Sequence, residues 1–182
     1  MLITPEKLEF GKGYSLKEVS APYGYVLSHE AVKFDVTEEN STEESGVTVV
    51  AVKLGNYAQK GIIKISKTGE VFASVAAADG VYQPVYTVQG LAGATYEIKA
   101  TEDIYTPDGT LRCSAGEVVD TVTTGADGTA ESKPLYLGKY EITEMKAPDG
   151  MVINKDAHTA ELVYAGQEIE ITETAASFCN DR

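Results

Sequence analysis

Residues 135–152 read LYLGKYEITEMKAPDGMV, and residues 8–26 read LEFGKGYSLKEVSAPYGYV. From Tyr14 and Tyr140 onward the matching residues stand a constant 126 apart: Leu16 answers Ile142, Glu18 answers Glu144, Pro22 answers Pro148 and Gly24 answers Gly150. In each copy the tyrosine, the aliphatic residue two places on and the glutamate two further share one face of a strand, because strand side chains alternate. Ala-Pro-x-Gly then ends the strand. Proline presets φ at the first corner of a turn, and glycine accepts the positive φ that closes it. Two copies of one strand-and-turn segment mean two copies of one folding unit.

The same period of two runs through the rest of the chain. Ala31–Val36, Val47–Leu54, Gly61–Lys67, Thr95–Ala100, Glu117–Thr123, Thr159–Tyr164 and Glu168–Thr174 all alternate. Turn signals separate them at Pro107-Asp108-Gly109 and Asp127-Gly128. Asp156–Leu162 fits either period but is short, and no longer window carries a helical stripe. Many short strands at close spacing predict an all-β Greek-key sandwich. The second copy is whole and the first is not, since few residues precede Tyr14. The expected organisation is a C-terminal partial domain over residues 1–57, lacking its opening strands, followed by one complete domain over 58–182.

Composition excludes several functions. Lys+Arg is 15 against Asp+Glu 28, a net charge of −13, spread over both parts. A nucleic-acid binder needs a basic footprint, and an anionic membrane surface would repel this chain. No nucleic acid and no membrane insertion are expected: no stretch reaches the roughly 18 apolar residues of a membrane helix. Met1–Glu6 has no signal-peptide character. Two histidines far apart (His29 and His158) and two cysteines give no material for a metal cluster, so neither metal nor cofactor is expected. Cys113 and Cys179 can pair in an oxidising compartment, but cysteine is too scarce for a disulfide scaffold, and both are expected reduced. The acidic run Glu38–Gly46 reads as a solvated loop without the glycine and ligand spacing of a calcium loop, and Asp103–Gly109 reads as a turn.

The pattern Gly-x-Tyr-x-Leu/Ile-x-Glu-x-x-Ala-Pro-x-Gly-Tyr/Met resembles the signature of Cna B-type (SpaA-like, prealbumin-like) domains, stalk and pilin modules of Gram-positive cell-surface proteins. Leu91-Ala92-Gly93-Ala94-Thr95-Tyr96 is similar to that family's Leu-x-Gly-Ala-x-Phe strand, Ile63–Gly69 to its opening lysine strand, and Phe178-Cys179-Asn180 to its closing asparagine strand. Met151 replaces the usual tyrosine, and the long stretch Glu70–Gly90 is expected to add a hairpin.

The resemblance implies a self-formed Lys–Asn isopeptide bond assisted by a buried acid. Strand phase supports it independently. Lys67 is in phase with Ile63 and Ile65, Glu144 with Tyr140 and Ile142, and Asn180 with Phe178 and Ala176, whereas Lys64 is out of phase. Burying such groups costs several kcal/mol each without compensation, so three inward-facing polar residues make sense if they react. Removal from water favours the neutral amine and the neutral acid. Lys67 Nζ then attacks the Asn180 side-chain carbonyl, Glu144 polarises it and shuttles protons, and ammonia leaves. In the first unit Glu18 and Asn56 stand in the matching places, with no lysine strand before them.

The expected function is therefore a structural module at the cell surface or cell wall, not a turnover enzyme. Its expected partners are neighbouring domains of the same protein and a lysine-bearing strand completing residues 1–57. The rival is an adhesin that binds a host protein or glycan through loops, with Tyr82 and Tyr86 in Glu70–Gly90 the best candidates. Both histidines follow the Ala-Pro-x-Gly turn in a segment expected to be peripheral, with no nucleophile motif adjoining.

Overall fold

The computed structural model describes residues 7–44 and 47–182, and its regular structure is all β-strand. Met1–Glu6, and the Ser45-Gly46 end of the acidic run, lie outside the described residues. β1 (Gly11–Leu16), β2 (Tyr25–Val26), β3 (Val32–Val36), β4 (Thr42–Glu44), β5 (Val47–Val49) and β6 (Tyr57–Ala58) form three antiparallel ladders: β1 with β3, β2 with β6, and β4 with β5. The strands that follow are β7 (Lys60–Ala78), β8 (Val81–Gly90), β9 (Thr95–Ala100), β10 (Ile104–Tyr105), β11 (Leu111–Cys113), β12 (Val118–Thr123), β13 (Thr129–Glu131), β14 (Leu135–Tyr136), β15 (Gly138–Lys146), β16 (His158–Leu162) and β17 (Ile171–Asn180).

β10 and β11 form an antiparallel ladder of their own, and the others build two facing sheets. One is antiparallel, in the order β12-β9-β15-β16. The other is centred on β7, which pairs with β13 and β14 along one edge and, in parallel, with β17 along the other. Alternation decides what lies between them. Ile63 and Ile65 from β7, Tyr96, Ile98 and Ala100 from β9, Tyr140 and Ile142 from β15, Ala160 and Leu162 from β16, and Ala176 and Phe178 from β17 form one buried core. Each fully buried aliphatic or aromatic side chain contributes roughly 1.5–3 kcal/mol, so these inward faces hold the sandwich together.

Several strand boundaries differ from expectation. Val47–Leu54 pairs only as far as Val49, and residues 50–56 carry no ladder although their exposure still alternates. Glu168 and Ile169 belong to a turn, with the Ile169 amide donating to the Gly166 carbonyl, and the strand begins at Ile171. Part of the acidic run is hairpin rather than loop, since Thr42–Glu44 pairs with Val47–Val49. Within Asp156–Leu162, His158–Leu162 resolves as β16. Glu70–Gly90 does form a hairpin, closed by Asp79 and Gly80 with φ of 52° and 77°, the positive pair that a type I′ turn requires.

The repeat is visible in the backbone. The Tyr25 amide donates to the Pro22 carbonyl and the Met151 amide to the Pro148 carbonyl, both at 3.1 Å. Residues 7–58 are tied to the sandwich through two glutamines. Gln59, 1% exposed, donates its backbone amide to the Gly24 carbonyl at 2.8 Å, while its side chain donates to the carbonyls of Gly166 and Ile169 and accepts from the Ala165 amide. Gln167 accepts from the Ala21 and Leu27 amides.

Candidate functional site

The inward phase of three strands brings one amine, one amide and one carboxyl together at the end of the core. Lys67 and Asn180 come from the two parallel neighbours β7 and β17, where Phe178 stands beside Lys67 and Asn180 beside Gly69. They are therefore diagonal neighbours on one face, within reach of a long side chain. Glu144 approaches from the opposite sheet. Relative exposures are 0% for Lys67, 2% for Glu144 and 4% for Asn180. The Lys67 ammonium donates to Asn180 Oδ1 and lies 3.1 Å from Glu144 Oε1. Asn180 Nδ2 donates to both Glu144 oxygens, at 3.1 and 2.9 Å.

The surroundings fix this triangle. The Lys67 amide donates to the Gly128 carbonyl at 2.7 Å, and the Lys67 carbonyl accepts from the Leu91 amide at 2.9 Å. Gly128 can lie this close because it has no side chain: a Cβ there would stand 2.5 Å from the Lys67 carbonyl oxygen, and its φ is +78°. The Glu144 carboxyl accepts from the Tyr96 hydroxyl at 3.3 Å and from the Asn154 amide at 2.7 Å. Burial, and then the neighbouring Glu144 charge and hydrogen bond, push the Tyr96 hydroxyl far above its ordinary range, so it remains a protonated donor. Its ring packs on Phe178 at 4.5 Å.

Sequence reasoning missed two of these contacts. The signal for Tyr96 was present, a tyrosine where the strand pattern has phenylalanine, which adds a hydroxyl to a core position. The Asn154 amide has no side-chain signal. It has an echo in the repeat: the Ser28 amide, 126 residues earlier, donates to Glu18 Oε2 at 3.1 Å.

The repeat carries the acid–amide pair as well. Asn56 Nδ2 donates to both Glu18 oxygens, at 2.8 and 2.9 Å. Among the described residues no lysine or arginine forms an ion pair with Glu18, and Val50–Asn56 has no strand beside it in the place β7 takes beside β17.

The remaining candidates stand apart. Lys64 faces outward and pairs with Glu173 at 2.7 Å. His29 pairs with Glu168 at the surface, while His158 is less peripheral than expected, its ring packing on Phe178 at 4.3 Å. Tyr82 is 76% exposed near the hairpin tip, and Tyr86 lies under Arg182 at the hairpin base. Cys113 and Cys179 are both free.

The family model for the SpaA prealbumin-like fold domain matches residues 2–51 and 85–175. No curated protein matches the chain. Similar solved structures include the TIE protein of Bacillus anthracis (28% identity over 93% of this chain and 25% of that one, TM-score 0.48). Two others are BcpA, the major pilin subunit of Bacillus cereus (20%, 68% and 30%, TM-score 0.40), and the full-length major pilin SpaD of Corynebacterium diphtheriae (22%, 67% and 30%, TM-score 0.42). The chain spans between a quarter and a third of the length of these proteins. With more than half of its residues matched by the family model, the chain belongs to the SpaA prealbumin-like fold domain family.

Proposed function

We propose that this chain is a structural module of a Gram-positive surface or pilus-like protein, stapled by an amide bond that it makes itself between Lys67 and Asn180. The observation that carries this reading is the mutual contact of Lys67, Asn180 and Glu144 in a site closed to water. A buried ion pair is weak ground for stability, since an apolar core of the same volume does as well or better. A buried nucleophile set against a carbonyl, with a carboxyl touching both, has a chemical use.

The step balances. One proton passes from Lys67 Nζ to Glu144, leaving a neutral amine and a neutral acid. Nζ adds to Asn180 Cγ, Glu144, hydrogen-bonded to Nδ2, delivers its proton to the departing nitrogen, and the second Nζ proton passes back to Glu144, which ends protonated. The Cγ–Nδ2 bond breaks, ammonia leaves, and a secondary amide joins the two side chains. Tyr96 and the Asn154 amide hold the carboxyl in place. The fold supplies proximity, so the reaction runs once per molecule and needs no cofactor. Tryptic mapping tests it. A joined Lys67 resists cleavage, so residues 65–99 should appear as one branched peptide with residues 156–182; linear peptides alone would refute the bond.

Residues 1–57 fit the C-terminal part of a second copy, with Glu18 and Asn56 as a centre awaiting its amine. A lysine-bearing strand laid parallel to Val50–Asn56, as β7 lies along β17, would complete it. A peptide of that kind should give an adduct stable in SDS, and no adduct would sink the idea. Extracellular placement and contact with neighbouring domains follow from this reading.

A further inference from the structure

The outer part of the β7–β8 hairpin is exposed on both faces, and its aromatic side chains lie on one of them. Directly paired residues share a face, so the pairs Phe72–Tyr86, Val75–Pro84 and Ala77–Tyr82, with Val88 opposite Glu70, set an apolar stripe along it. Phe72, Val75, Tyr82 and Val88 are 55%, 54%, 76% and 66% exposed. The stripe continues the outward phase of Lys64, Ser66 and Thr68, on the side away from the facing sheet, so no second layer covers it. The family model leaves residues 52–84 unmatched, and with them the first arm and tip of this hairpin.

Charge and edge chemistry narrow what can dock there. In a chain of net charge −13, residues 71–90 contain one charged residue, Asp79 at the turn. Glu70, at the base, is paired with Arg182 at 3.2 Å, and the Arg182 guanidinium lies 3.3 Å over the Tyr86 ring. A charged partner would find nothing to pair with. Strand addition along the edges is also opposed: Pro84 removes a donor from β8, and the irregularity between Phe72 and Ser74 breaks the outer edge of β7. What remains is contact through the face.

We propose that this face packs on the same face of a second copy, hairpin on hairpin, about a two-fold axis. A self-matched uncharged patch needs no complementary charge, and it is the one long segment where two acidic molecules meet without repulsion at the contact. In the antiparallel arrangement the tip of each hairpin meets the base of the other. Small Ala77 then leaves room for the Phe72 or Tyr86 ring of the mate. Aromatic side chains bury about 150–250 Å² each, so the stripe offers less than or close to the ~800 Å² per partner of a standard interface. The dimer is therefore weak. It tightens with added salt, because screening, over about 8 Å at physiological strength, reduces repulsion between the acidic bodies.

Sedimentation velocity on the whole chain, over a range of protein and salt concentrations, tests this. A monomer–dimer equilibrium strengthened by sodium chloride is expected. Val75→Lys and Tyr82→Glu should each weaken it by at least about tenfold with an unchanged melting temperature. Val81→Lys, equally exposed on the other face of the hairpin, should leave it intact. A monomer under all conditions, a dimer indifferent to Val75→Lys, or equal loss with Val81→Lys overturns the proposal. The first result would assign the stripe to a different macromolecule.

Discussion

Replacing Lys67 with methionine separates the cross-link from the packing around it. Methionine keeps most of the lysine stem's volume and has no amine. Glu144 would still accept from Asn180, Asn154 and Tyr96, while Asn180 Oδ1 loses its one donor. The bond closes a loop across a separation of 113 residues. In the chain-entropy account of cross-links, a loop of that length restrains the unfolded state by about 5 kcal/mol at 25 °C. At about 3–5 °C per kcal/mol for a domain of this size, the Lys67→Met melting temperature should fall by roughly 15–25 °C. Urea unfolding gives a second readout. An uncross-linked chain exposes more surface when it unfolds, so m should rise as the midpoint falls. Without a bond in the parent protein stability would still fall, by about 3–5 kcal/mol, because Glu144 is left without its buried partner, but m would not change. A Lys67→Met protein with the m of the parent would refute the reasoning.

Force spectroscopy on a molecule held at both termini should find the segment between Lys67 and Asn180 inextensible in the parent. Lys67→Met should release roughly 400 Å of chain, at about 3.3–3.6 Å per residue, and equal extensions would contradict the staple. Gly128→Ala should cost about 2–5 kcal/mol, from a left-handed φ and a Cβ 2.6 Å from Gly90 Cα, and slow bond formation by shifting the Lys67 backbone; a melting temperature within a degree of the parent would count against it. Burial raises the hydroxyls of both Tyr96 and Tyr140. Their contribution is present below the unfolded value of about 10 and is lost as pH rises above it, because only the unfolded chain then ionises. Urea midpoints should fall beyond pH 10 with a slope of about 1.4 kcal/mol per pH unit for each tyrosine. Tyr96→Phe should halve that slope, and a flat profile to pH 11 would contradict the assignment.

Alternation carried most of the fold. It names the face on which a side chain lies, which is why the inward phases of Lys67, Glu144 and Asn180 are legible in the sequence alone. It does not name the neighbouring strand. That β7 and β17 run parallel and adjacent, bringing Lys67 beside Asn180, depends on a pairing between residues more than a hundred positions apart. For the same reason Val50–Asn56 reads as an ordinary strand. Its pattern of apolar residues is intact, and only the absence of a paired strand distinguishes it. Backbone donors such as the Asn154 amide have no identity in sequence. The outward stripe of the hairpin follows only from the pairing of Phe72 with Tyr86, which fixes the residues that share a face.

The most direct measurement is the intact mass of the reduced chain. The account predicts a deficit of one ammonia, about 17 Da, and not two, since no lysine pairs with Glu18 among the described residues. Glu144→Gln should restore the full mass. A parent protein at the mass of its sequence would contradict the account.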